Sequence, residues 1–214
     1  MSYAIKEIFF TLQGEGGQTG RAAVFCRFTG CNLWSGREAD RAQAACVFCD
    51  TDFVGTDGPG GGRFESSGAL ADAIQHCWQQ RATSGSPLVV LTGGEPGLQV
   101  DEALLQELKG RGFEVAIETN GTVALPTGFD WITVSPKPGL PLHVRTGTEL
   151  KLVFPQDEDA MAPRRFVDLP FAHFYLQPKD GPEQQQNLTA AIDYCQRHPQ
   201  WRLSLQTHKL IGLP

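Results

Sequence analysis

The stretch LVVLTGGEP, residues 88 to 96, decides the fold of this 214-residue chain. Its first four residues are too apolar for a strand with one solvated face, so they predict a strand that is covered on both sides. The next five residues combine a polar side chain with turn-forming glycine and proline at the end of that strand. The stretch therefore reads as one strand of a parallel α/β sheet, with functional residues at its carboxyl end.

Similar short runs recur along the chain and predict further strands. They are AAVFCRF (22–28), FEVAIE (113–118), WITV (131–134), ELKLVF (149–154), FAHFYL (171–176) and RLSL (202–205). Three amphipathic patterns predict helices, at 70–78, 101–110 and 188–195. The gaps 119–130 and 136–148 show no helical period. The sequence thus predicts an incomplete TIM-like barrel of about six or seven mostly parallel strands, with a reduced set of about three main helices.

Polar segments follow the strands of this predicted sheet. They are TGGEP (92–96), ETNG (118–121), SPK (135–137), QPKDG (177–181) and QTHK (206–209). Each segment alone is ordinary turn chemistry. Because the carboxyl ends of parallel strands meet at one edge of a sheet, the five segments together predict a shared site.

Composition and charge exclude several classes of function. The chain has 18 Lys and Arg against 24 Asp and Glu, a net charge of −6, which gives no general attraction to nucleic acid or anionic lipid. No uncharged run reaches the roughly 18 residues of a membrane span, and the start MSYAIKEIFF lacks signal-peptide features. We expect one domain, residues 1–214, in a cytoplasmic protein with no nucleic-acid or membrane partner. Within it, GTDGPGGGR (55–63) predicts a mobile loop.

Three of the six cysteines lie in the segment CNLWSGREADRAQAACVFCD, residues 31–50. Fourteen residues separate Cys31 from Cys46, and two separate Cys46 from Cys49. In a reducing compartment, clustered cysteines indicate metal binding or catalysis more than disulfides. Structural zinc takes four ligands, usually as two close pairs, and this segment supplies only one close pair.

The other three cysteines are predicted to be inert and buried. Cys26 alternates with Val24 and Phe28 on the core face of its strand, and Cys77 and Cys195 lie on apolar helix faces. Three available thiolates match a [4Fe–4S] cluster in which one iron is left open to bind a ligand.

Several of these motifs together resemble the radical S-adenosylmethionine (SAM) enzymes. The resemblance rests on three cysteines in a loop after a strand, on Phe48 just before the last cysteine, and on GGEP after the next strand. The spacing of fourteen and then two residues is longer than in most of that family. The long segment between Cys31 and Cys46 occurs here together with TLQGEG (11–16), CDTDF (49–53) and ETNG. This combination resembles one branch of these enzymes, the 7-carboxy-7-deazaguanine synthase family, over essentially the whole chain.

The resemblance implies two cofactors. Cys31, Cys46 and Cys49 would each hold one iron of a [4Fe–4S] cluster within a cluster loop, residues 29–52, and the open iron would bind SAM. The residues implied for SAM are Phe48, Gly93, Gly94, Glu95, Ser135, Lys137 and Gln177. The Glu95 carboxylate suits the SAM amine, while Phe48 either packs on the adenine or braces the loop. GGEP alone also fits a plain strand-to-helix turn.

The substrate implied is 6-carboxy-5,6,7,8-tetrahydropterin. It is converted to 7-carboxy-7-deazaguanine with loss of ammonia and regeneration of SAM, a step toward queuosine and other deazapurine nucleosides of tRNA. The residues implied to bind it are Leu12, Gln13, Gly14, Glu15, Arg27, Thr92, Glu118, His208 and Pro214. Arg27 suits the substrate carboxylate, and the carboxylate of Pro214 suits the N–H donors of the pterin edge. Glu118 and His208 also fit simpler roles, as a turn cap and a surface histidine.

A second metal is implied at CDTDF. Mg²⁺ joined to the Thr51 hydroxyl and the substrate carboxylate is coherent, with Asp50 or Asp52 assisting through water. The alternative is that Asp50 and Thr51 cap the turn that leaves the cluster loop.

Family analogy further implies a homodimer and a flavodoxin or ferredoxin as electron donor. Arg37 and Arg41 in the cluster loop suit an acidic partner of this kind. Three functions stay open at this point: the ring-contracting enzyme, another radical SAM enzyme that activates a protein partner, and a zinc-stabilised binding module.

Overall fold

The computed structural model describes residues 2–157 and 159–214, and its main feature is a sheet of nine strands. Their bounds are β1 Tyr3–Leu12, β2 Ala22–Phe28, β3 Gly62–Phe64, β4 Leu88–Gly93, β5 Glu114–Thr119, β6 Trp131–Val134, β7 Gly147–Phe154, β8 Phe171–Pro178 and β9 Trp201–Leu203. The strand order is β3-β1-β2-β4-β5-β6-β7-β8-β9. Every pairing from β2 to β9 is parallel, whereas β1 runs antiparallel to β2 and β3. Within the described ranges β3 and β9 form the two edges, so the predicted partial barrel is confirmed and the sheet stays open.

Two strands are absent from the sequence prediction. β1 is not predicted because its pairing register with β2 shifts between Ile5 and Glu7. The shift interrupts the alternation of buried and exposed side chains and buries both Ile5 and Ile8. β3 pairs with β1 and takes up residues 62 and 63, so the predicted glycine-rich loop 55–63 ends at residue 61. That loop is held to β1 by two backbone hydrogen bonds, from Ile8 N to Pro59 O (2.7 Å) and from Gly58 N to Lys6 O (3.0 Å).

Four α-helices accompany the sheet in the described part of the chain: α1 Ser67–Gln79, α2 Glu102–Gly110, α3 Gln184–Arg197 and α4 Thr207–Ile211. The first three confirm the predicted helices. Ser66 caps α1 by accepting a hydrogen bond from Ala69 N (3.2 Å), and Asp101 caps α2 in the same way from Leu104 N (2.9 Å). The fourth occupies the QTHK segment and is too short to show a helical period. None of the described helices has the length and apolar character needed to cross a bilayer.

Most of the apolar core lies between the helices and one face of the sheet, while a smaller buried cluster lies on the other face and contains Ala23, Leu88, Val90 and Ala116. Val24, Cys26 and Phe28 of β2 are fully buried there, as predicted, in a cluster formed with α1 and α2. Cys77 and Cys195 are half-buried and pack against the core clusters from their helices. The opposite face of the sheet carries polar side chains at the carboxyl ends of the parallel strands, and these form the site.

Candidate active site

A cavity of about 350 Å³ opens at the carboxyl ends of the parallel strands. Its lining includes every predicted site residue except Glu95. The cluster loop contributes Cys31, Cys46, Phe48, Cys49 and Thr51. The strands and the segments that follow them contribute Arg27, Thr92, Gly93, Gly94, Glu118, Ser135, Lys137 and Gln177. The end of β1 and the C-terminal segment contribute Leu12, Gln13, Gly14, Glu15, His208 and Pro214.

The three cluster-loop cysteines are free thiols on one side of this cavity. Burial raises the pKa of Cys31 and of Cys46, and the nearby Lys137 ammonium favours the thiolate of Cys46. In the described residues, no three His, Cys, Asp or Glu side chains converge tightly enough to hold one metal ion. The ligands of an iron–sulfur cluster bind different irons and need not converge on one point, so this set of three thiols fits a cluster with one open iron.

Arg41 holds the long insertion of the cluster loop in place. Its Nη1 donates hydrogen bonds to the carbonyl oxygens of Val47 and Cys49, both at 3.0 Å. Its guanidinium lies 4.0 Å from the ring centroid of Trp34 and pairs with Glu38 at 2.8 Å. The charge of Arg41 is therefore paired within the cluster loop. Arg37, in contrast, is exposed.

Gly93 and Gly94 let the end of β4 lie against the start of the cluster loop. A Cβ atom on Gly93 would come 2.2 Å from the Phe28 carbonyl oxygen, and one on Gly94 would come 2.1 Å from that of Gly30. The backbone hydrogen bond from Glu95 N to Gly30 O (2.9 Å) completes the junction. These glycines thus fix the position of Cys31 relative to the sheet.

Glu95 is absent from the cavity lining, unlike the other residues predicted to bind SAM. Its carboxylate is fully buried and accepts hydrogen bonds from Gly97 N (2.8 Å), Thr119 Oγ1 (2.8 Å) and Asn120 N (2.7 Å). Burial raises its pKa despite these donors. The side chain joins the TGGEP and ETNG turns, a contact between strand ends that the sequence pattern does not reveal.

The remaining polar residues predicted for SAM, which are Ser135, Lys137 and Gln177, all line the cavity. Lys137 Nζ donates to Ser135 O (2.8 Å) and Ser135 Oγ (2.6 Å), and it lies 6.0 Å from the Phe48 ring centroid. Burial lowers the pKa of Lys137. Gln177 is buried, and its Oε1 accepts a hydrogen bond from Ser204 Oγ (3.2 Å).

The residues predicted to bind the substrate edge are linked to one another. Gln13 Nε2 donates to Glu118 Oε1 (2.9 Å), and Gln13 Oε1 accepts from Glu15 N (3.1 Å). Glu15 pairs with Lys151 and accepts from Gln206 Nε2 (3.0 Å). Glu118 therefore faces a side-chain network and is more than a turn cap.

His208 lies directly over the turn that follows β1. A Cβ atom on Gly14 would come 2.2 Å from His208 Nδ1, so a larger residue at this position would displace the His208 side chain. Thr207 N and Thr207 Oγ1 donate to Gly14 O at 3.0 and 2.9 Å. These contacts seat α4 on the cavity rim, where Thr11 Oγ1 also donates to Pro214 O (3.3 Å).

Arg27 is held in place by Glu7, which sequence reasoning missed. Arg27 Nε donates to Glu7 Oε1 (2.8 Å), and its guanidinium lies 5.9 Å from the Phe9 ring centroid. Arg27 lines the cavity, and the two terminal nitrogens that Glu7 does not engage suit a carboxylate.

The acidic side chains of CDTDF are both paired with lysines. Lys209 Nζ contacts Asp50 Oδ2 and Asp180 Oδ2, each at 2.6 Å, and Gln206 Nε2 also donates to Asp50 (3.0 Å). Asp52 pairs with Lys6 at 3.0 Å. Thr51 lines the cavity between these two ion pairs.

Comparisons with known proteins agree with this geometry. No protein-family model matches the chain. A Bordetella pertussis protein named 7-carboxy-7-deazaguanine synthase is 62% identical over 214 residues, and one of the same name from Bradyrhizobium diazoefficiens is 63% identical over 213; both alignments cover 100% of each chain. A solved structure titled as the crystal structure of QueE from Escherichia coli superposes with a TM-score of 0.72 at 29% identity, covering 96% of this chain and 94% of that one. The chain belongs to the 7-carboxy-7-deazaguanine synthase family.

Proposed function

We propose that this chain converts 6-carboxy-5,6,7,8-tetrahydropterin to 7-carboxy-7-deazaguanine with loss of ammonia, as a radical SAM enzyme of queuosine and deazapurine biosynthesis. One observation carries the proposal beyond family membership. The three free thiols of the cluster loop and the polar network of Gln13, Glu15 and Glu118 line the same cavity. A cavity of about 350 Å³ suits a small molecule.

In this proposal Cys31, Cys46 and Cys49 hold three irons of a [4Fe–4S] cluster, and SAM binds beside it. When bound, these groups supply the radical chemistry that removes a hydrogen atom from C6 of the substrate. Residues of the chain hold and orient SAM: the backbone at Gly93 and Gly94, with Phe48, Ser135, Lys137 and Gln177. The Glu95 carboxylate is proposed to bind the SAM amine, and its three hydrogen bonds also hold the GGEP turn.

The substrate is oriented from its two ends. Glu118 and Glu15 accept hydrogen bonds from the amino-pyrimidinone edge, since a carboxylate is a strong acceptor for adjacent N–H donors. The Gln13 amide, which is bonded to Glu118 and to Glu15 N, contributes an amide oxygen and N–H group on the same side. Leu12, Gly14, Thr92, His208 and the main-chain oxygen of Pro214 complete this side of the cavity. At the other end, Arg27 binds the substrate carboxylate while Glu7 fixes the orientation of the guanidinium.

Mg²⁺ is proposed to bind the Thr51 hydroxyl and the substrate carboxylate. Asp50 and Asp52 are engaged by Lys209 and Lys6, so any contribution from them passes through water. Because one hydroxyl is a weak ligand, we expect Mg²⁺ to bind together with the substrate.

The protein is further proposed to be cytoplasmic and homodimeric, with a flavodoxin or ferredoxin as its reductant. Of the two arginines predicted to meet that reductant, Arg37 is the exposed one. Arg41 instead stabilises the cluster loop.

Anaerobic reconstitution with iron and sulfide tests the proposal. The protein should develop the absorption of a [4Fe–4S] cluster, and incubation with SAM, dithionite, Mg²⁺ and 6-carboxy-5,6,7,8-tetrahydropterin should yield 7-carboxy-7-deazaguanine by mass spectrometry. A loaded cluster that cleaves SAM but leaves the pterin unchanged would favour another radical SAM activity. A protein that takes up zinc and assembles no cluster would favour the binding module.

A further inference from the structure

Lys151 is one of two buried charged residues on β7, and the other is Glu149. Leu150 and Leu152 on β7 face the core cluster that contains α3, and both are fully buried. Lys151 points to the opposite face and lines the cavity with only 5% of its surface exposed. A lysine is almost never buried to this extent without partners, because an unpaired ammonium is costly away from water.

Its partners are the carboxylates that face the predicted substrate edge. Lys151 Nζ forms an ion pair with Glu15 Oε2 and lies 3.9 Å from Glu118 Oε2. Glu149 on the same strand is nearby but has donors of its own, Gly17 N and Thr133 Oγ1, both at 2.8 Å. The carboxylates that depend on Lys151 are therefore Glu15 and Glu118.

These two carboxylates keep acceptor capacity toward the cavity. Glu118 Oε1 receives a hydrogen bond from Gln13 at 2.9 Å, while its Oε2 lies beyond hydrogen-bond distance of Lys151. Glu15 receives one hydrogen bond at each oxygen, and each carboxylate oxygen has two lone pairs. An ionised pair of this kind offers only acceptors, which is the complement of a ligand edge made of adjacent N–H donors.

We propose that Lys151 is a positioning residue for substrate recognition, which holds Glu15 and Glu118 side by side as a preorganised pair of ionised acceptors for the amino-pyrimidinone edge. The inference rests on the proposed function, and it states how Glu15 and Glu118 select a substrate edge made of N–H donors. Without the ammonium, the two partly buried carboxylates would repel each other. The proton that one of them takes up would then turn an acceptor into a donor facing the substrate N–H groups.

The electrostatics of the site agree with this role. Burial alone raises the pKa of Glu15, but the Lys151 ammonium reverses the effect and holds that pKa below its ordinary value. Burial lowers the pKa of Lys151, and Glu118 and Glu15 more than offset this and raise it. Lys137, Glu149 and His208 are the other charged or titratable groups whose charges act on Lys151 or Glu15.

The test compares Lys151→Met with Lys109→Met in the reconstituted enzyme. Met keeps the length of the side chain and removes its charge, and Lys109 is a half-exposed lysine of α2 that pairs with Asp130 outside the cavity. Substrate binding by calorimetry should weaken by on the order of tenfold or more in K151M and stay unchanged in K109M. Iron content, SAM affinity and SAM cleavage without substrate should match the wild type in both.

A pH profile separates positioning from a merely structural role. Wild-type affinity for the pterin should stay level between about pH 6 and pH 8, whereas the K151M affinity should recover as pH rises and the carboxylates ionise. Equal loss of substrate affinity, SAM affinity and cluster content in K151M would overturn the inference, as would unchanged substrate affinity. A wild-type enzyme that binds no pterin would overturn the proposed function and this inference together.

If K151M does not fold, the pair E15Q/K151M replaces it, because it removes both charges of the ion pair. Its reference is E15Q alone. We expect the double variant to bind substrate more weakly than E15Q, since Glu118 also loses its cation. Equal affinities of these two variants would overturn the inference.

Discussion

Substitution of Gly94 by alanine tests how the sheet positions the first cysteine. The new Cβ would lie 2.1 Å from the Gly30 carbonyl oxygen and 3.0 Å from Cys31 Cβ. Cβ atoms essentially never come within 3.0 Å of a heavy atom outside their own residue and its chain neighbours, so the start of the cluster loop must withdraw by about 1 Å. Overpacking of this kind costs about 1 to 3 kcal/mol, which for a chain of this size lowers Tm by roughly 2 to 12 °C.

The assay measures Tm by calorimetry and iron content after anaerobic reconstitution. Gly68→Ala is the matched control, because the nearest atom to its Cβ is 4.0 Å away and the position lies in α1, where alanine is the better helix former. We expect G68A to retain full iron and to gain about 0.4 to 1 kcal/mol of stability. We expect G94A to lose both stability and iron. Wild-type iron content and Tm in G94A would refute the view that this close approach sets the position of Cys31.

Four further predictions concern single residues of the site. Arg27→Gln should raise the substrate KM roughly tenfold or more and leave SAM affinity unchanged. An equal loss of SAM affinity, measured by calorimetry, would contradict the assignment of Arg27 to the substrate alone. Thr51→Ala should blunt the rise in turnover when Mg²⁺ is added to metal-stripped enzyme, whereas an undiminished response would place the ion elsewhere. Arg41→Gln should speed loss of the cluster absorption in air, because two carbonyl contacts disappear; a wild-type rate would contradict this. Cys31→Ala should lose the cluster while Cys26→Ala keeps it, as iron analysis after reconstitution will show, and the reverse result would overturn the ligand assignment.

Most of the sheet is predictable from sequence because buried parallel strands read as continuous apolar runs. β6 matches its predicted bounds, Trp131–Val134, and β2 matches Ala22–Phe28. β1 is missed for a physical reason, since the register shift between Ile5 and Glu7 replaces the period of two with a spacing of three.

The site is predictable where a residue follows a strand, because the fold gathers strand ends. Glu118, Ser135 and Gln177 meet in one cavity although their positions in sequence are far apart. The failures concern long-range pairing. The contact between Lys151 and Glu15 depends on the order of the strands and on the length of the lysine side chain. In the sequence, the only sign of this contact is a charged residue at an inward position of β7.

Glu95 shows a second limit of motif reading. The GGEP pattern places a carboxylate next to a glycine pair, but the direction of the side chain depends on the neighbouring turn. In the structure that turn supplies Thr119 Oγ1 and Asn120 N as donors, so the carboxylate is held between the two turns and is absent from the cavity lining.

The most direct test of the proposed activity is product yield at limiting SAM. The reconstituted enzyme is incubated with dithionite, Mg²⁺, excess 6-carboxy-5,6,7,8-tetrahydropterin carrying deuterium at C6, and less SAM than substrate. Mass spectrometry should then find more 7-carboxy-7-deazaguanine than the SAM supplied, with deuterium in the recovered SAM, because SAM is regenerated in each turnover. Release of 5′-deoxyadenosine without any deazaguanine product, from enzyme with a full cluster, would contradict the proposed function.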